Sequence, residues 1–216
     1  MTPRLKTEAV PALMILASWL FVAHHWGRLP DQIPVHWGLS GTPDAFAPKV
    51  PGVFMIPAIG TMLTLTMMAW PAFAPRSSAR ETLLGVFQVL KVAISAFFCV
   101  LTYLVLQADV SPGHTLTMSA ITTLVGILFV ILGDRLPKIR PNGWLGIRTP
   151  WTLAHPEVWE RTHRQMGKWF VFSGLLIVLA TVSSARTQVV VLIVAVLGVS
   201  GGSLIVSISE YRKVQG

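Results

Sequence analysis

From Thr187 to Ser209 the chain runs without one charged side chain, through Val189-Val190-Val191-Leu192-Ile193-Val194-Ala195-Val196-Leu197. A half-buried strand or a surface helix must turn some polar residues to water, and this run has no polar face to turn. It is long enough to cross a bilayer as a helix, which takes about 20 apolar residues. Five further runs follow the same pattern. The expected spans lie at about 9–26, 52–74, 83–107, 115–133, 168–185 and 188–208. Pro11, Pro57 and Pro71 lie in or near spans, where a neighbouring helix can supply partners for the carbonyls that proline frees.

Composition excludes the main alternatives. Only 12% of the 216 residues are charged and 53% are hydrophobic, against about 25% charged in soluble domains. A soluble enzyme, a disordered chain and a secreted disulfide scaffold are excluded. Cys99 is the one cysteine, so it forms no intramolecular disulfide and no thiolate cluster. Arg4 and Lys6 before an apolar stretch mimic a signal peptide. However, Phe21-Val22-Ala23 followed by His24-His25-Trp26 offers no cleavage site, so the stretch reads as a retained first span. The expected fold is all-α, a polytopic membrane helix bundle of six transmembrane helices forming a single membrane domain over 1–216.

Net charge is +8, and its placement sets the expected orientation. Arg4, Lys6, Arg76, Arg80, Arg135, Lys138, Arg140, Arg148, Arg161, Arg164, Lys168, Arg212 and Lys213 fall on one side. Arg28, Lys49 and Arg186 fall on the other, and Lys91 lies inside a span. Cationic residues collect at cytoplasmic loops, so both termini are expected in the cytoplasm and the 27–51 loop outside. The basic fourth loop carries no recognised nucleic-acid module, and no direct nucleic-acid partner is expected. Gly198 and Gly202 form a G-x-x-x-G pair suited to close packing within the bundle or to a homodimer.

Two loops depart from ordinary connectors. In the external cap, 27–51, the prolines exclude regular helix. That cap gathers His36, Trp37, Gly41, Asp44 and Lys49, with Asp31 beside them. The arrangement suits a face for a ligand or partner, and no pair has a recognised metal spacing. The cytoplasmic stretch 134–167 holds the motif loop and the start of a helix. Asn142-Gly143 signals a turn. Pro156 suits the first position of a helix that runs into the fifth span. Glu160 and His163 form one Glu-x-x-His unit, but a di-iron bundle needs two copies and two more carboxylates. Glu157–Arg161 and Glu160–Arg164 read instead as helix salt bridges. His163 falls on a stripe with Trp159, Met166 and Phe170 that points to packing. Lys91 either snorkels towards the cytoplasm past Gln88 or is ion-paired. No hydrolase, zinc-protease or phosphate-loop motif is present, so no catalytic residue, metal ligand or cofactor is assigned.

The external residues 29–44 with Lys49 resemble a short module of unknown function near the start of many bacterial membrane proteins. The stretch Pro141-Asn142-Gly143-Trp144-Leu145-Gly146-Ile147-Arg148-Thr149-Pro150-Trp151-Thr152-Leu153, followed by Glu157, Trp159 and Thr162-His163-Arg164, resembles the signature of the SdpI immunity family. The resemblance implies a multi-pass protein of the bacterial inner membrane. The family's namesake protects against a secreted peptide toxin and recruits a transcriptional repressor to the membrane. The implied partners are therefore the lipid bilayer, a peptide toxin outside and a repressor inside. The candidate ligand- or partner-binding residues, taken from the two loops, the fifth-span helix and the cation inside a span, are His36, Trp37, Gly41, Asp44, Lys49, Lys91, Asn142, Gly146, Arg148, Pro150, Trp151, Thr152, Trp159 and His163. A membrane-embedded enzyme or metal protein (using His36 and Asp44, or Lys91, Arg148 and His163) and a small-ligand transporter are the alternatives.

Overall fold

The computed structural model describes residues 3–40, 42–73, 80–110 and 118–216. Gly41 and Arg76, both named above, lie outside the described residues. The long helices are α1 (Pro3–His25), α2 (Lys49–Phe73), α3 (Arg80–Val110) and α4 (Met118–Arg135). A five-residue helix, α5 (Pro150–Ala154), precedes α6 (Pro156–Leu179) and α7 (Ala185–Gln215). Among the described residues six helices are long and apolar enough to cross a membrane. The run expected at 188–208 lies inside the candidate span Ala185–Gln215, and that expected at 168–185 covers the carboxyl half of the candidate span Pro156–Val182 and overruns its end. Charged residues exclude the first turns of α6 from an apolar run, but the helix start expected at Pro156 is where α6 begins. The turns around Glu157, Glu160, Arg161 and Arg164 are helical and exposed.

Helix α3 packs against α1 and α2, α6 packs against α4 and α7, and α3 meets α4. The α4–α6 seam is made by glycines facing each other across antiparallel helices. A Cβ on Gly133 would lie 2.6 Å from the Gly167 carbonyl, and one on Gly174 would lie 2.6 Å from the Gly126 carbonyl. Only hydrogen allows backbones this close, which is how small residues hold helices together in lipid. These glycines, not the expected pair on α7, carry the tight packing. Gly202 does face Trp169 inside the bundle, but a Cβ on Gly198 would meet nothing within 4 Å.

Several polar atoms inside the bundle find partners across helices. Trp19 Nε1 donates to Thr61, and Thr64 and Ser95 share a hydrogen bond, both at 3.0 Å. Pro11 has no N–H, so the Thr7 carbonyl one turn earlier loses its helical donor. Gln88 of α3 supplies one, Nε2 to oxygen, at 2.5 Å.

The all-α expectation is corrected at the 27–51 loop. Strands β1 (Gln32–Trp37) and β2 (Pro43–Pro48) pair there as an antiparallel hairpin, with irregular register around Pro34, His36 and Trp37. Proline excludes helix but is compatible with the edges of a two-stranded ribbon, and the period-2 pattern is too short to stand out. The hairpin is anchored by Ile33, which is fully buried against Gly52 at the start of α2 and packs with Val22, Leu29, Val53 and Leu106.

Helix direction puts the hairpin at one end of the bundle, together with the α6–α7 turn. The amino terminus, the α4–α5 connection and the carboxyl end of α7 lie at the other.

Candidate functional site

The α4–α5 connection is an ordered loop seated on the first turns of α6. Asn142 builds its turn. Its Oδ1 accepts from the Trp144 and Leu145 amides, both at 2.8 Å. Its Nδ2 donates to the carbonyls of Arg140 (2.8 Å) and Leu145 (3.0 Å). All the hydrogen-bonding capacity a side-chain amide uses here is spent on backbone, an Asx turn. The turn expected at Asn142-Gly143 is present, and the asparagine side chain makes it. Because the side chain makes the turn, Gly143 keeps an ordinary backbone. The left-handed residue is Gly146, at φ 119°. A Cβ there would collide with His163 Nε2 and reach 3.0 Å from the Trp159 ring.

Beneath the loop, Trp159 and His163 stack with ring centroids 4.1 Å apart, and each is 1% exposed. Trp159 Nε1 donates to the Ile139 carbonyl at 2.7 Å. His163 Nε2 accepts from the Ile147 N–H at 2.9 Å. Its Nδ1 therefore carries the proton and donates to the Trp159 carbonyl, one turn back, at 2.8 Å. Packing was the expectation for His163. The structure adds that both ring nitrogens are consumed, which leaves neither free for a metal or for proton transfer. Thr149 then caps α5 in a reciprocal box with Thr152, whose hydroxyl also donates to the Ile147 carbonyl at 2.7 Å. Pro150 occupies the first turn of α5, as its fixed φ favours.

The motif thus divides into a buried frame (Ile139, Thr149, Thr152, Trp159 and His163) and an exposed set (Arg140, Arg148, Pro150 and Leu153). Trp144 is 54% exposed and touches Trp70 edge-on at 6.4 Å. Trp70 in turn stacks on Phe87 of α3 at 4.0 Å. Trp151 and His155 lie against Tyr211 at the end of α7. Glu210, 6% exposed, pairs with Lys213 at 2.6 Å and Arg161 at 3.7 Å. The loop therefore contacts α2, α6 and α7 together. Beside it lies an open cleft of about 550 Å³ whose walls include Lys138, Arg140, Glu157 and Glu160. Glu160 is exposed and pairs with Arg164 at 3.8 Å, and Glu157 pairs with Arg161.

At the hairpin end, His36 Nδ1 and Asp44 Oδ1 lie 2.5 Å apart on the exposed face of the ribbon. Lys49 does not join them. Its Nζ donates to the Leu29 carbonyl at 3.0 Å and lies 4.8 Å from the centre of the Trp26 ring. Lys49 is thus an anchor of the hairpin, not a third member of the cluster. Trp37 is half-buried on β1. Among the described residues no three His, Cys, Asp or Glu side chains come together as a metal set would.

Lys91 does not reach solvent. It is 3% exposed, and its Nζ donates to both Glu8 oxygens at 2.5 Å. The sequence reading missed Glu8 and Trp70, and it named Gln88 only as a polar neighbour of Lys91. Pro11 was the usable signal, since the carbonyl it frees requires a donor from another helix.

Together these features define a polytopic helical membrane protein with a rigid motif loop at one end and a β-ribbon cap at the other. Residues 138–208 match the SdpI/YfhL protein family, and residues 13–61 match a domain of unknown function. The chain is 25% identical to the immunity protein SdpI of Bacillus subtilis (strain 168) over 213 residues, 98% of this chain and 99% of that protein. No solved structure matches. The resemblance carried by the two motifs is therefore borne out, and each matched segment contains the residues of one motif.

Proposed function

We propose that this chain is a non-enzymatic immunity and signalling protein of the bacterial cytoplasmic membrane, with both termini in the cytoplasm. The observation that carries the reading is the near full-length similarity to an immunity protein. The preformed surfaces at opposite ends of the bundle support it. The ribbon around His36, Trp37 and Asp44 faces outward and meets a membrane-active peptide. The exposed residues Arg148, Pro150 and Trp144 face the cytoplasm and hold a transcriptional repressor when the peptide is bound. Such signalling requires the peptide to prefer one of two arrangements of the bundle. The buried frame supplies a stiff coupling, because the motif loop touches α2, α6 and α7 at once.

Deleting the gene in its host and challenging the cells with membrane-active peptides tests the reading. Sensitisation is expected, and restoring the Arg148→Ala chain is expected to return resistance without the transcriptional response. Unchanged sensitivity together with unchanged transcription refutes the proposal. Orientation is tested in a Cys99→Ala background. Phe46→Cys is expected to react with an impermeant thiol reagent from outside intact cells, and Trp151→Cys only after the membrane is opened.

A further inference from the structure

At the end of the bundle bearing the amino terminus, α1, α2 and α3 leave a cleft of about 470 Å³, within the size range of small-ligand sites. Its walls are Met67, Leu84 and Phe87, and Glu8, Gln88 and Lys91 form its polar patch. Lys91 is nearly sealed, with 4% of its side chain exposed, and it turns donors onto Glu8. Glu8 is the more open partner, at 24%. A carboxylate has about four lone-pair sites, and Lys91 uses one on each oxygen. Gln88 spends one of its two N–H groups on the Thr7 carbonyl, and among the described residues its own carbonyl accepts nothing. The cleft therefore presents free lone pairs on Glu8 and Gln88, beside one further N–H each on Lys91 and Gln88, a set that matches a headgroup carrying an ammonium next to a phosphate.

Depth adds a second constraint. Glu8 is the second residue of the span Thr7–Arg28, at the boundary where lipid headgroups sit, and the apolar walls run inward from it. A third observation is Gly85 on the cleft wall. A glycine inside a helix weakens it. Gly126, Gly133, Gly167 and Gly174 compensate by close helix contact, but a Cβ on Gly85 would meet nothing within 4 Å. Its smallness serves no packing among the described residues and keeps the cleft open.

We propose that this cleft binds an aminophospholipid. The primary ammonium donates to Glu8 and the Gln88 carbonyl, and the first methylenes lie along Met67, Leu84 and Phe87. The lipid ammonium joins the Glu8–Lys91 pair without displacing Lys91.

Native mass spectrometry of the full chain with phosphatidylethanolamine, phosphatidylcholine or phosphatidylglycerol tests this. Choline keeps the positive charge but has no N–H, so about tenfold stronger retention of the ethanolamine lipid is expected, the worth of one hydrogen bond to a charged group. Gly85→Phe fills the cleft, leaves the ion pair in place, and is expected to erase the preference in a protein that remains monodisperse. Equal retention of the three lipids by the unmodified chain overturns the proposal, as does preferred retention of phosphatidylglycerol. So does an undiminished ethanolamine preference in Gly85→Phe.

Discussion

Replacing Gly146 by alanine acts on the frame in two ways whose sizes follow from the structure. At φ 119° a side chain is strained by about 1–3 kcal/mol. The added Cβ also overlaps His163 Nε2 and crowds the Trp159 ring. Relieving that overlap lifts the loop off α6 and breaks the Ile147 N–H to His163 bond. Orphaning those groups costs about 1–3 kcal/mol more. A loss near 4 kcal/mol lowers the protection of the Ile147 amide on the order of a thousandfold. Amide hydrogen exchange in detergent micelles reads this directly, and tryptophan fluorescence follows Trp159 as it becomes wet. Gly143→Ala is the control, because its backbone is ordinary and a Cβ there meets nothing within 4 Å. It is expected to behave as the unmodified protein. Wild-type protection at Ile147 in Gly146→Ala would refute the frame as described, and equal damage from Gly143→Ala would do the same.

Three further outcomes are expected. Lys91→Met leaves Glu8 without its partner and lowers stability by about 3–5 kcal/mol, whereas the double change Glu8→Gln with Lys91→Met restores much of it. Thermal unfolding in a double-mutant cycle measures the difference, and additive losses would contradict the pairing. Gln88→Leu is expected to cost about 1 kcal/mol, and less when Pro11→Ala returns an N–H to the Thr7 carbonyl. Gly133→Leu is expected to abolish a monodisperse preparation by forcing α4 from α6. Gly198→Leu should be silent in the isolated protein, and a change in its oligomeric state by cross-linking would instead reveal contact between copies at that face.

Much of the architecture was legible before any coordinates. Spans announce themselves because bilayer thickness imposes a length and an absence of charge on each segment separately. That logic stops short of the outer turns of α6, where Glu157, Arg161 and Arg164 are helical but wet, and there Pro156 and the Glu–Arg spacing carried the reading instead. The same logic missed the ribbon, since Pro34, Pro43 and Pro48 argue against helix without naming what replaces it. The motif loop was legible as a unit, but its parts were not. Asn142-Gly143 drew attention to a glycine that needs no special backbone, and the one that does stands at Gly146 under the His163 ring. His163 itself looked like a packing residue, and its hydrogen bond to Ile147 spans 16 positions.

The sequence by itself determined that lipid surrounds this chain, how many rods it makes, and which two connections carry unusual chemistry. Hydropathy, length and turn chemistry are local quantities, readable within a window. Only the tertiary structure decided which polar groups satisfy one another. Lys91 meets Glu8 from 83 positions away, Gln88 meets the carbonyl that Pro11 frees, and glycines on α4 and α6 admit each other's backbone. Those pairings depend on distances between helices, and no residue encodes such a distance until its neighbours have packed.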